Sequence, residues 1–91
     1  MVFVVISYDI SDDGLRKKVA NILLDYGVRV QYSVFECLVD AKTLHKLVVM
    51  LAPFTEGNDS IRFYQICEAC LKKMVLQGSG KVTEEVMFHL V

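Results

Sequence analysis

Tyr8 and Asp9 close an apolar opening stretch in which Val2, Phe3, Val4, Val5 and Ile6 run without a polar break. A run of that kind needs no polar alternation when it is buried on both faces, so it reads as the central strand of a sheet. The strand delivers one carboxylate, Asp9, at its C-terminal end, where open sheets flanked by helices place chemistry. Such a carboxylate could meet a second copy of itself across a symmetric dimer. Its structural alternative is a turn or capping aspartate. Tyr8 could position substrate or a water, or pack as an aromatic at the strand end. Arg16, Lys17, Lys18 and Arg29 are the candidate phosphate contacts. The plainer reading of the helical three is a solvated face.

The elements that must position these residues follow in order. Ser11, Asp12 and Asp13 offer an N-cap and acidic charge for a helix start. Leu15, Val19, Ile22, Leu23 and Tyr26 then recur at helical spacing on one face. Gly27 is expected to close that helix in a left-handed conformation. Residues 28–39 are strand-like, but Val28, Val30, Tyr32 and Val34 share one parity while Phe35, Cys37 and Val39 share the other. A turn or bulge near Tyr32 and Ser33, making a hairpin, resolves the conflict. Asp40 caps a second helix with Leu44, Leu47, Val48 and Leu51 on its buried stripe, and Pro53 ends it. Residues 55–59 form a loop and Ser60–Ile66 the next strand.

Strand, helix, strand, strand, helix, strand is the order of the split βαβ, or ferredoxin-like, α+β fold. The expectation is one domain over residues 1–91, with its core in residues 1–67, first and last strands in mid-sheet, and both helices on one face. The other face would be bare. Residues 67–73 read as a turn-rich connection, residues 74–76 as a short strand, and Gly78, Ser79 and Gly80 as a flexible turn. Residues 84–91 alternate in part. A surplus terminal strand pairs with an exposed edge, its own or a partner's, so residues 74–91 are assigned to dimerisation.

Composition bounds the function. The chain has 91 residues, 54% of them hydrophobic, a mean hydropathy of +0.41 and a net charge of −1. No apolar stretch approaches the roughly 20 residues of a membrane span, and no signal-peptide pattern opens the chain. The surplus apolar surface is expected to be buried between copies of the chain. A near-neutral charge argues against coating nucleic acid through overall charge, though not against a local basic patch. Three cysteines fit a reducing cytoplasm better than a disulfide framework. Cys67 and Cys70 have zinc-ligand spacing but supply half of a four-ligand site, and His45 and His89 stand at no diagnostic distance. Cys37 reads as a small buried hydrophobe.

Several strings resemble a known family. Tyr8-Asp9-Ile10, the helix from Arg16, Tyr26-Gly27, then Arg29-Val30-Gln31-Tyr32-Ser33-Val34-Phe35-Glu36 are similar to CRISPR-associated protein two. Asp59-Ser60-Ile61-Arg62-Phe63-Tyr64 and Ile66-Cys67 extend the likeness over nearly the whole chain. The resemblance implies a face-to-face homodimer with exchanged terminal strands, in spacer acquisition alongside the CRISPR integrase, CRISPR-associated protein one. It implies a magnesium-dependent nuclease acting on RNA or double-stranded DNA, with Asp9 of each protomer on a Mg²⁺ that keeps several waters. Ser33 and Phe35 would then adjoin the site, Ser33 towards nucleic acid. A non-catalytic scaffold holding a DNA duplex and the integrase is the alternative.

Overall fold

Valine, isoleucine and phenylalanine favour the pleated, packed surface of a sheet, and residues 2–6 build the strand on which the others assemble. The computed structural model describes residues 1–78. The elements are β1 (Val2–Asp9), α1 (Asp13–Leu24), β2 (Gly27–Gln31), β3 (Val34–Val39), α2 (Ala41–Leu51), a 3-10 turn (Ala52–Phe54), β4 (Ser60–Ile66) and α3 (Glu68–Leu71). The fold is α+β with one four-stranded sheet in the order β2-β3-β1-β4, and every pairing is antiparallel. The middle of the sheet therefore holds β1 and β3. The last strand, expected in the middle, lies at the edge. Arg62, Tyr64 and Gln65 are exposed on β4, whereas Phe35, Cys37 and Val39 on β3 are buried. Polar, exposed positions suit an edge and not a centre.

Both long helices cover one face. Val4, Ile6 and Tyr8 of β1 pack with Phe35 and Cys37 of β3 beneath Val19 and Leu23 of α1 and Leu47 and Leu51 of α2. Each helix starts on an aspartate. Asp12 accepts from the Leu15 N–H at 2.9 Å and Asp40 from the Thr43 N–H at 2.7 Å, satisfying amides that the helix itself leaves free. Val48, placed by its spacing on the buried stripe of α2, is instead 42% exposed. It sits at the margin of the line through Leu44, Leu47 and Leu51.

The opposite face is not wholly bare. Leu71 of α3 is buried against Phe3, with Val5, Leu38 and Ile66 around them. Residues 67–73 thus contain a short helix, and its role is to cap this end of the sheet. Residues 74–76, expected as a strand, have no regular secondary structure. The Met74 N–H still bonds back to the Leu71 carbonyl at 3.2 Å, so the chain is unwinding from α3 and meets no strand partner among the described residues. The expected turn through Ser79 and Gly80 and the terminal strand over residues 84–91, with its exchange between protomers, lie outside the described residues. Among the described residues, no helix is long and apolar enough to cross a membrane.

The β2–β3 hairpin turns at Tyr32 and Ser33, as the parity break predicts. Arg29 pairs with Phe35 and Gln31 with Val34, which leaves Val30 as a bulge and flips the alternation. Gly27 does not end α1. The helix stops at Leu24, and Gly27 opens β2 without a positive φ. Its missing side chain has another reason: a Cβ there would lie 2.3 Å from the Glu36 carbonyl oxygen and 2.4 Å from Cys37 Sγ. Those neighbours are backbone and a buried thiol, so neither can swing away. Gly27→Ala is therefore expected to destabilise the chain by about 1–3 kcal/mol, the range for overpacked sites. Urea denaturation with an unchanged midpoint would show that the hairpin yields at no cost.

Candidate functional site

The pleat separates the two residues that the sequence names together. Asp9 ends β1, pairs with Ser60 of β4 and is exposed. It shares a face with Val5, Ser7 and Arg62, away from α1 and α2. Arg62 pairs with Ser7, one step along the strand from Ser60 on that face. The bond its guanidinium donates to the Tyr64 hydroxyl, at 3.4 Å, raises its pKa first, the charge of Tyr64 adds to this, and the nearby Asp9 carboxylate contributes least. Tyr8 points to the opposite, helix-covered side. Its ring is 3% exposed and stacks on Phe35 at 6.3 Å. Its hydroxyl donates to the Tyr32 carbonyl and accepts from Arg29, both at 3.4 Å. Within one chain, Tyr8 and Asp9 do not form one site.

The basic residues divide. Arg16, Lys17 and Arg29 line a cleft of about 430 Å³ between α1 and the hairpin, together with Tyr8, Asn21 and Tyr32. Helical spacing explains the wall: Lys17, Asn21 and Leu24 fall three and four residues apart on α1 and share a stripe. Arg16 is already tied into the fold. It donates to the Ile10 carbonyl at 3.0 Å and pairs with Asp13, while its guanidinium lies 5.7 Å from the Tyr32 ring. The guanidinium of Arg29 lies 6.0 Å from Tyr32 and 5.4 Å from Phe35, inside cation–π range. Lys18 is exposed on α1 and outside the cleft. Ser33 is half-buried, and its carbonyl accepts from the Tyr8 N–H at 3.1 Å, which pins the turn to β1. Phe35 is wholly buried core.

The chain thus carries two features: an exposed carboxylate at the end of the central strand, and a cationic aromatic cleft on the other side. A family model for CRISPR-associated protein Cas2 matches residues 1–74. The chain belongs to this family. A Chloroflexus aurantiacus relative named CRISPR-associated endoribonuclease Cas2 3 is 43% identical over 90 residues, covering 98% of this chain and 97% of its own. The crystal structure of Streptococcus pyogenes Cas2 aligns with a TM-score of 0.71 at 30% identity, over 84% of this chain and 99% of that one. A chain of a partial Cas6-RT-Cas1–Cas2 complex aligns with a TM-score of 0.62 at 30% identity, over 82% and 89% respectively.

Tyr32 and Asn21 also line the cleft of this Cas2-family chain, although the sequence singles out neither as a site residue. The available signal for Tyr32 was an aromatic in a hairpin turn beside basic residues. Asn21 carried none, because only the helix–hairpin packing brings it to the cleft.

The cysteines serve the fold. Cys67 caps α3, its Sγ accepting from the Cys70 N–H at 3.4 Å. That bond, followed by one from the Cys70 thiol, lowers the Cys67 pKa, while the bond to Cys67 and then its charge raise that of Cys70. Burial, followed by the charge of Glu36, pushes the Cys37 thiol from 9.0 up to about 11. Among the described residues, no three His, Cys, Asp or Glu side chains cluster as a metal site. Folding holds Cys37 protonated, so its contribution to stability is present below pH 9 and is lost as pH rises towards about 11. Alkylation of the native protein at pH 8 should modify Cys67 first and Cys70 more slowly, with Cys37 reacting only in denaturant. Mass spectrometry showing early Cys37 labelling would contradict this order.

Proposed function

We propose that this chain is a metal-dependent endonuclease of CRISPR spacer acquisition, cutting RNA or DNA phosphodiesters with Asp9 supplied once by each protomer of a homodimer. The observation that carries the reading is the place of Asp9: exposed, at the end of the central strand, on the face that α1 and α2 leave uncovered. On that face Val28 and Tyr64 are also exposed, and Val5 and Val34 are half-buried. Burying such residues against a second copy would remove apolar surface from water and bring the two Asp9 strand ends towards one axis.

The donor set fits Mg²⁺ in kind. Asp9 offers hard carboxylate oxygens, and Mg²⁺ is held by one or two carboxylates with the remaining positions left to water and phosphate. One chain gives one such carboxylate, and a homodimer gives two. When bound, the ion supplies charge for a phosphoryl oxygen and lowers the pKa of a coordinated water. The chain's own residues do the rest: Asp9 holds its charge at the sheet end, and Lys17 and Arg29 attract the phosphate backbone. The C. aurantiacus relative is named an endoribonuclease, and the aligned complex pairs a Cas2 chain with Cas1. Both names support nucleic acid and the CRISPR integrase as partners. The free thiol of Cys37 and the exposed, unbridged Cys67 and Cys70 suit the cytoplasm.

Asp9→Asn preserves size and removes the charge. Cleavage of a labelled RNA or DNA by the wild type should require added Mg²⁺ and fall at least about 100-fold in this variant, as befits loss of a direct ligand. The dimer, measured by sedimentation, should persist. Wild-type cleavage by a pure Asp9→Asn preparation would overturn the assignment. Phosphate attraction has its own test in Lys17→Glu, because Lys17 is exposed on α1 whereas Arg16 bonds the Ile10 carbonyl and Asp13. It should weaken binding to any sequence and flatten its salt dependence by about one to two counterions. An unaltered salt slope would place the contact elsewhere.

A further inference from the structure

Cys67 and Cys70 are both free, both exposed, and in contact with each other. The Cys67 Sγ accepts from the Cys70 N–H at 3.4 Å, and the Cys70 thiol donates to the same sulfur. Capping α3 needs only the first of these bonds. An oxygen side chain makes it at the start of the other two helices, where Asp12 and Asp40 stand. A cysteine at the cap, with a second thiol turned towards it, adds what those aspartates cannot. It puts two sulfurs within reach of one covalent bond.

The backbone explains why the sulfurs meet. Cys67 is extended, at φ −71° and ψ 162°, which turns its side chain over the first turn of α3. The Leu71 N–H bonds the Cys67 carbonyl at 2.9 Å and closes that turn. Leu71 itself is anchored against Phe3, whereas both cysteines face solvent. A disulfide brings its sulfurs to about 2.0 Å and its Cβ atoms to about 3.5–4.5 Å. That contraction falls on the exposed end of a four-residue helix and leaves the buried Leu71 in place. The two thiols also differ in reactivity. The Cys70 N–H and then the Cys70 thiol stabilise the Cys67 thiolate, holding its pKa below the ordinary cysteine value, while Cys70 keeps its proton longer. The more ionised sulfur is the one that attacks.

We propose that Cys67 and Cys70 form a thiol–disulfide exchange site whose substrate is a low-molecular-weight disulfide of the glutathione type. The Cys67 thiolate attacks one sulfur of that substrate. A mixed disulfide forms on Cys67, the substrate S–S bond breaks, and one thiolate leaves. Cys70 then loses its proton, and its sulfur attacks the Cys67 sulfur and expels the second thiolate. The two departing thiolates take up the two protons that the cysteines shed. Two protein thiols are thus oxidised, and one disulfide is reduced to two thiols. The product ties the start of α3 covalently, and excess thiol reverses it. In a reducing compartment such a bond is transient and follows the redox state. The site is separate from Asp9 and from the cleft, and it does not rest on the nuclease reading.

The test places the full chain at neutral pH in glutathione buffers of rising disulfide content. Samples are quenched with acid, alkylated in denaturant and read by peptide mass spectrometry. Wild type should convert to a form lighter by two hydrogens, with Cys67 and Cys70 joined and Cys37 still open to alkylation. Excess reduced glutathione should restore the dithiol. Cys70→Ser removes the resolving sulfur and should stop at a glutathione adduct on Cys67. Cys67→Ser keeps a capping oxygen for α3. It should form its adduct on Cys70 at least about threefold more slowly than Cys70→Ser forms its own. Wild type that stays reduced in excess glutathione disulfide, or that ends with one adduct on each cysteine, overturns the proposal. So does a chain-to-chain disulfide as the main product on a non-reducing gel. Equal adduct rates in the two variants would likewise overturn the assignment of Cys67 as the attacking sulfur.

Discussion

The structure depends on β1 being hydrogen-bonded on both edges at once. Its pairings run from Val2 with Val39 to Ser7 with Val34 on one side, and from Phe3 with Ile66 to Asp9 with Ser60 on the other. A strand so enclosed has no freedom to slip, since moving one residue would exchange its two faces. Val4, Ile6 and Tyr8 are thereby committed to the helices, and Phe3, Val5, Ser7 and Asp9 to the opposite side. The distribution of chemistry follows from that two-residue period. A buried tyrosine organises the cleft, and its chain neighbour presents a carboxylate on the far face.

The cleft is a product of the hairpin's irregularity. Without the bulge at Val30, Arg29 and Gln31 could not both keep their pairings with the adjacent residues Phe35 and Val34. Arg29 reaches the helix side because it pairs with the core residue Phe35. It then meets the Tyr8 hydroxyl, while the turn residues bond to Tyr8 through the Tyr32 and Ser33 carbonyls. Gly27 lets the start of β2 lie close on β3 at Glu36 and Cys37. Arg16 closes the arrangement from α1 by bonding the Ile10 carbonyl. One end of the sheet, one helix and one turn are thus joined through a few polar contacts around a buried ring.

The far face is finished differently. Leu71 seals the Phe3 end, and Cys67 stabilises the short helix that carries Leu71. The Asp9 end of the same face receives no such cover among the described residues. Apolar sealing at one end and an exposed carboxylate at the other give this face a polarity along the strands. Membership of the Cas2 family and a proposed role for Asp9 are both compatible with that gradient.

Much of this was legible before folding, because local rules carried it. The apolar run of β1, the aspartate caps at Asp12 and Asp40, the stripe of α1 and the parity break at the hairpin all depend on neighbours within a few residues. The α+β order of elements follows from them, and the strings around Tyr8-Asp9 and residues 29–36 resemble the family to which the chain belongs. Tertiary structure alone decided the rest. Whether β3 or β4 sits beside β1 in mid-sheet is a matter of long-range pairing, and neither strand's own alternation settles it. That Gly27 serves a close approach rather than a helix end depends on Glu36 and Cys37 across the hairpin. Tyr8 and Asp9 are adjacent in the chain, yet the pleat sends them to opposite faces. Asn21 and Tyr32, remote in sequence, share a cleft only because α1 packs beside the turn. A sequence records which residues are neighbours along the chain, and side-chain chemistry is set by which are neighbours across it.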